Sequence, residues 1–318
     1  MNRRSLLALP ALLSLCRAAL AADWPSRPMR VLVPFSPGGS TDFIARMVAV
    51  GLGEALGVTV VVENRGGAGG TSGSEVIAKS APDGTNFLVS NIASHGVAPS
   101  IYRNLPYDPV TDFIHLGLIA EIPSVLAINA RCPERTLAEF IATARRDPQF
   151  WHIGSPGNGS SSHVKQELFK RLAGIELTHV PYRGSGPALT DTVAGHIEGL
   201  ITTLVEAGQN DALRLLAVTS AARVPGWPAV PTFAESGFPA LVATTWFGIS
   251  APAGLPAPIA DRMNAEIIAT VRHPDVAPLL VETAATPRCL SRQEYTAFIV
   301  AEIARWAEVV RASGARID

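Results

Sequence analysis

Short apolar runs alternate along this chain with stretches whose apolar positions recur every three or four residues. Met29 to Val33 is an apolar run, and Ile44, Met47, Val48, Leu52 and Ala55 then follow at helical spacing, stopping at Gly57. Val58 to Val62 is a continuous β-branched run, of the kind found in strands covered on both faces. A helix over Ser74 to Lys79 and a third strand at Phe87 to Ser90 complete a β-α-β-α-β order, the signature of an open parallel sheet. The alternation continues. Strands are predicted at Val125 to Asn129, Trp151 to Gly154, from His179, at Gly195 to Ile201, at Leu213 to Val218 and at Thr245 to Ser250. Helices are predicted at Leu137 to Arg146, from within Ser155 to His163 to about Leu172, and at Pro187 to about Ala194. Val224 to Pro239 is Pro-rich and reads as loop, and two amphipathic helices close the chain, Ile259 to Arg272 and Arg292 to Ser313.

Two of the strand-to-helix connections share a chemistry. Val31 leads through Pro34-Phe35-Ser36-Pro37-Gly38-Gly39 to a helix opening at Ser40, Thr41 or Asp42. Trp151 leads into Ser155-Pro156-Gly157-Asn158-Gly159-Ser160-Ser161-Ser162-His163, which opens another helix behind a cluster of hydroxyls. Each helix start leaves amide N–H groups without intrahelical partners, and its dipole favours negative charge. No Lys or Arg lies between Val31 and Phe43, or between Ser155 and Lys165, so an anion held here is held by amides and hydroxyls. Two such starts in different βα units are the main sequence evidence for a ligand cleft; self-capped loops are the alternative. A further Gly-rich turn at Asn64 to Gly73 lacks the G-x-G-x-x-G spacing of a dinucleotide loop.

At 318 residues, 47% hydrophobic and 17% charged, the chain has the size and composition of a compact α/β protein of one or two domains. A net charge of −1 gives no reason to expect nucleic acid as a partner. Arg3 and Arg4, the apolar Ser5 to Leu15 and the small residues Ala19 and Ala21 read as an export signal over residues 1–21, cut near Ala22, by the general or the twin-arginine route. Without Arg3, Arg4 and Arg17 the exported chain keeps 23 basic against 27 acidic residues, about −4. Cys132 and Cys289 could bridge in an oxidising compartment, but their spacing does not establish a bridge, and buried free thiols are the simpler reading. No metal-ligand spacing occurs, and no cofactor is called for.

The ordered motifs Trp24-Pro-x-Arg-Pro-Met-Arg30, Val33-Pro-Phe-Ser-Pro-Gly-Gly-Ser-Thr-Asp42, Val62-Glu-Asn-Arg-Gly-Gly-Ala-Gly-Gly70 and Pro82-Asp-Gly84 continue with Ser155-Pro-Gly-Asn-Gly-Ser-x-x-His163 and His179-Val-Pro-Tyr-Arg-Gly184. Leu216-Ala-Val-Thr219, Val230-Pro-Thr-x-x-Glu-Ser-Gly237 and Trp246-x-Gly-x-x-Ala-Pro-Ala-Gly254 follow. In this set the chain resembles the periplasmic solute receptors of tripartite tricarboxylate transporters, the Bug family. The departure is at Asn86-Phe87, where that family more often has Tyr-Thr. The resemblance implies a two-lobed type II periplasmic-binding-protein fold, mostly parallel sheets with the cleft between lobes. Lobe 1 is expected at 22–122 plus 246–285 and lobe 2 at 123–245, with a C-terminal helix in 286–318 resting on either. It implies a monomer that binds a small carboxylate with few or no charged contacts and delivers it to membrane permease subunits. Carried over by motif, the ligand contacts are Phe35, Ser36, Gly38, Gly39, Ser40, Thr41, Asp42, Ser90 and Asn91 from the first lobe. Ser155, Gly157, Asn158, Gly159, Ser160, Tyr182 and Thr202 come from the second.

Each candidate has a plainer role beside it. Asp42 reads best as a helix cap, His163 as a structural hydrogen-bonding group, Arg183 as a surface ion pair, His95 as a solvent-facing loop histidine and Trp246 as packing. A receptor presenting its ligand to a membrane sensor kinase would use the same pocket. A secreted hydrolase is the competing class, but no G-x-S-x-G elbow is present, and Ser160 and His163 as helical neighbours do not make a triad.

Overall fold

The computed structural model describes residues 24–317, so the export signal expected at 1–21 lies outside the described residues. Strand β1 (Met29–Val33) leads into helix α1 (Ser40–Leu56), which ends on Gly57 at φ 66°, a left-handed stop. Then come β2 (Val60–Asn64), α2 (Thr71–Ala78) and β3 (Asn86–Asn91). A π-helical turn (Ile92–Val97) runs into α3 (Ala98–Ile101). Strand β4 is long, Phe113–Asn129. It is followed by α4 (Leu137–Arg146), β5 (His152–Ser155), α5 (Ser161–Ala173), β6 (Thr178–Pro181), α6 (Ser185–Ala194), β7 (Gly199–Thr203), α7 (Leu204–Ala207) and β8 (Leu213–Val218). The chain ends with β9 (Thr244–Pro252), α8 (Ala257–Arg272), α9 (Ala277–Glu282), β10 (Thr286–Pro287) and α10 (Arg292–Ser313).

The strands hydrogen-bond in the order β2-β1-β3-β9-β4-β7-β5-β6, with β8 and β10 also on β4. Two parallel sets, β2-β1-β3 and β7-β5-β6, flank an antiparallel centre made by β4 and β9. Strand β4 changes partners part-way: Phe113 to Pro123 pair with β9, and Ser124 to Asn129 pair with β7 and β8. The sequence reading placed only Val125 to Asn129 in a strand. The first half escaped because His115, Gly117, Glu121 and Pro123 interrupt its apolar run, and Pro123 is tolerated where the ladder changes partner.

Each lobe has its own core. Val31, Val33, Ile44, Val48, Leu52, Phe87 and Met263 pack in the first; Leu126, Phe140, Trp151, Phe169 and Leu216 pack in the second. Helix α10 rests on both lobes rather than one. Its Tyr295, Ile299, Trp306 and Val310 bury against Ile92 and Leu118 of the first lobe and Val164 of the second. Glu302, also on α10, accepts the indole N–H groups of Trp246 (2.8 Å) and Trp306 (3.0 Å). Cys132 and Cys289 are free thiols packed against different cores. His95 is not in solvent: it is wholly buried among Tyr107, Phe113 and His115, because the π-helical turn folds it inward. Arg183 forms no ion pair among the described residues; its main-chain carbonyl makes the contact described below.

Candidate ligand-binding cleft

The starts of α1 and α5 face one another across the junction of the lobes and share a small cavity of about 40 Å³. Phe35, Ser40, Thr41, Asn91, Ser160 and Thr202, all singled out in the sequence, line it. Ile92, Ala93, Pro156, Ser161, Ser162, Ser185, Thr203, Glu206, Thr245 and Phe247 complete the wall. Thr202 has a buried hydroxyl oxygen with no hydrogen-bond partner among the described residues. A buried hydroxyl without a partner costs about 1–3 kcal/mol, so one in a cavity wall marks where a polar ligand or water fits.

Ten other sequence candidates do not line this cavity; most shape the loops around it. Asp42 turns away from it: its carboxylate accepts from the Gly38 N–H (3.1 Å), Arg46 Nε (3.0 Å) and Asn64 Nδ2 (2.9 Å). Burial pushes its pKa up, but the bonds from Arg46, Asn64 and Gly38 outweigh that and hold it below the ordinary value. Gly38 takes φ 85°, a left-handed turn that aims the α1 amides at the cleft. Ser36 ties the lobes together, its N–H and hydroxyl both donating to the Arg183 carbonyl at 3.0 Å. Gly39 lies where a Cβ would come within 2.5 Å of Ser185 Oγ and 3.2 Å of Glu206 Oε1 of the opposite lobe.

Ser90 lies beneath the cleft floor, its hydroxyl shared with Ser250 (2.7 Å) and Tyr295 (2.9 Å). Ser155 holds its own turn through the Gly157 N–H (3.1 Å) and His179 Nε2 (2.6 Å). Gly157 and Gly159 have positive φ, and the Asn158 carbonyl accepts from the Tyr102 hydroxyl at 3.2 Å, another tie between lobes. Tyr182 points at α6, donating to Asp191 at 2.7 Å. His163 keeps a structural role: its N–H donates to Ser160 Oγ, its Nδ1 accepts from the Gly159 amide, and its ring stacks on His179 at 4.1 Å.

The wall carries one charged side chain, Glu206. Glu206 of α7 is a half-buried carboxylate in this wall. It accepts from the Thr203 N–H at 3.3 Å, from Ser185 Oγ at 2.6 Å and, across the cleft, from the Ser40 N–H at the start of α1. Burial pushes its pKa above the ordinary value, against the pull of hydrogen bonds from Ser185, Ser40 and Thr203. The sequence carried a usable signal: Thr203-x-x-Glu206 after a strand is a capping pattern, and Glu206 does reach back to the Thr203 amide. One shell behind the wall, Lys165 is wholly buried, donating to Ser124 Oγ (2.7 Å) and Thr245 Oγ1 (3.2 Å) on the two crossing strands.

A larger groove of about 790 Å³ lies on the outer face between α1, α8 and α9. Its surface is mostly apolar and it lacks the converging buried polar groups of the cleft.

The tripartite tricarboxylate transporter family receptor profile matches residues 44–315. The chain belongs to that family. It is 37% identical to Protein BugT of Bordetella pertussis over 305 residues, 94% of each chain. Among solved structures, R. palustris Rpa4515 with adipate is 35% identical with a TM-score of 0.89, covering 93% of this chain and 100% of that one. MatC from Rhodopseudomonas palustris with bound malate is 31% identical with a TM-score of 0.86, covering 90% and 100%. This receptor is therefore a solute-binding protein of the two-lobed periplasmic-binding-protein class. Among the described residues no helix is long and apolar enough to cross a membrane.

Proposed function

We propose that this receptor captures a small organic acid between its lobes outside the cytoplasmic membrane and delivers it to the permease of a tripartite tricarboxylate transporter. The observation that carries the proposal is the partnerless buried hydroxyl of Thr202 in a cavity flanked by two helix starts. Adipate and malate in the related structures are acids of this kind. The contacts proposed for the ligand are Phe35, Ser40, Thr41, Asn91, Ser160 and Thr202, joined by Ser161, Ser162, Ser185, Thr203, Glu206 and Thr245. The lobes divide where β4 changes partners at Pro123–Ser124 and where β9 begins at Thr244.

A cavity of about 40 Å³ is far below the roughly 300–1,000 Å³ of ordinary small-molecule sites. The lobes must part for a ligand to enter, with β4 and β9 as the hinge, and close again around it. Hydrolysis has no support in the geometry. Ser160 receives the His163 main-chain N–H rather than its imidazole, and Ser155, paired with His179, is wholly buried with no carboxylate orienting that ring among the described residues. Thermal-shift screening of the exported form against a panel of organic acids tests the proposal. One or more acids should raise the melting temperature in a concentration-dependent way; a flat response across mono-, di- and tricarboxylates would overturn it.

A further inference from the structure

The charges around the cavity are segregated, and that asymmetry speaks to ligand class. On one side stands Glu206, whose Oε1 accepts from the Ser40 N–H and the Ser185 hydroxyl and whose Oε2 accepts only the Thr203 N–H, at 3.3 Å, among the described residues, which leaves acceptor capacity on Oε2 in the cavity wall. On the other side stand the first-turn residues Ser161 and Ser162 of the thirteen-residue helix α5 and the Thr245 hydroxyl, with the Lys165 ammonium behind it. The Ser40 amide at the start of α1 is already engaged by Glu206.

We propose that Glu206 is the specificity-determining residue of the cleft, selecting an acid that also carries a hydrogen-bond donor, a hydroxyl or an ammonium, over the same acid without one. This rests on the receptor reading given above. The acid group lies against the start of α5, where amides and hydroxyls favour a negative ligand. The donor points at Glu206 and fills its remaining acceptor site. The same diacid without that donor sets only carbon against the carboxylate and leaves its remaining acceptor site unfilled once water is excluded. The unpaired hydroxyl of Thr202, able to donate or accept, lies in the same wall.

Isothermal titration calorimetry with matched acids tests this: succinate against malate and aspartate, and adipate against 2-aminoadipate. The unsubstituted receptor should bind the donor-bearing member of a pair at least about tenfold more tightly, and Glu206→Gln should bring the two to within about threefold. Glu206→Asp, which keeps the charge but withdraws it, should narrow the preference without abolishing it, and serves if the Gln variant does not fold. Equal or tighter binding of the plain diacid would overturn the inference while leaving the receptor reading intact. So would a Gln variant that binds every acid more tightly by the same factor, because Glu206 would then only compete for the α1 amide. No heat with any acid would remove the receptor reading and this inference together.

Discussion

Gly39 shows how one atom can control closure. Its φ of −98° is open to any residue, so its role is not backbone conformation but the space opposite it. A side chain there meets Ser185 and Glu206 of the other lobe, so Gly39→Leu should hold the lobes apart. We expect acid binding to fall below calorimetric detection while the melting temperature without ligand stays within a few degrees; unchanged affinity would refute this. Arg183→Ala should alter affinity little by comparison, because it is the Arg183 main-chain carbonyl that receives Ser36, and the substitution keeps that carbonyl. Residues were legible in the sequence where the backbone acts and obscure where a side chain reaches across the cleft. Ser40, Thr41 and Ser160 stood out because Pro/Gly turns and hydroxyls advertise a helix start. Glu206 did not, because its importance comes from Ser40, distant in sequence and brought near only by closure.

At the scale of elements, helices with regular apolar spacing were read nearly to their ends: α4 and α10 fall where the periodicity put them. Local pattern did not say what an element packs on. Helix α10 binds both lobes, and its Trp306 is 1% exposed against Ile92, Val97 and Val164. Trp306→Ala should cost about 3–5 kcal/mol by urea denaturation, the range for a large buried aromatic, and it also removes a donor from buried Glu302. A loss below about 1 kcal/mol would mean that α10 is only loosely attached. The π-helical turn at Ile92–Val97 had no readable signal, since its side chains are chosen to bury His95 rather than to keep a helical stripe.

For the whole molecule, the pH dependence of stability should carry the mark of Lys165. Burial, and then Arg305, lower its pKa from 10.5 to about 7, with Glu302 opposing. The unfolded chain then binds more protons than the folded one between about pH 7 and pH 10.5, so this group makes stability rise as pH rises through that window. Below pH 7 both forms are protonated and the contribution stays flat at its least favourable. Lys165→Met should flatten the rise in melting temperature between pH 7 and 9.5, and an undiminished slope in that variant would rule Lys165 out as its source.

Strand β4 is one unbroken segment of seventeen residues whose first part serves one lobe and whose second part serves the other. Relatives therefore cannot trade halves by a single join, as beads-on-a-string proteins do. Any chimera needs two seams, one inside β4 and one at the head of β9, each placed within hydrogen-bonded ladder. Shuffling whole halves should accordingly be rare in this architecture, and new ligand preferences should arise by exchanging wall residues on an inherited frame.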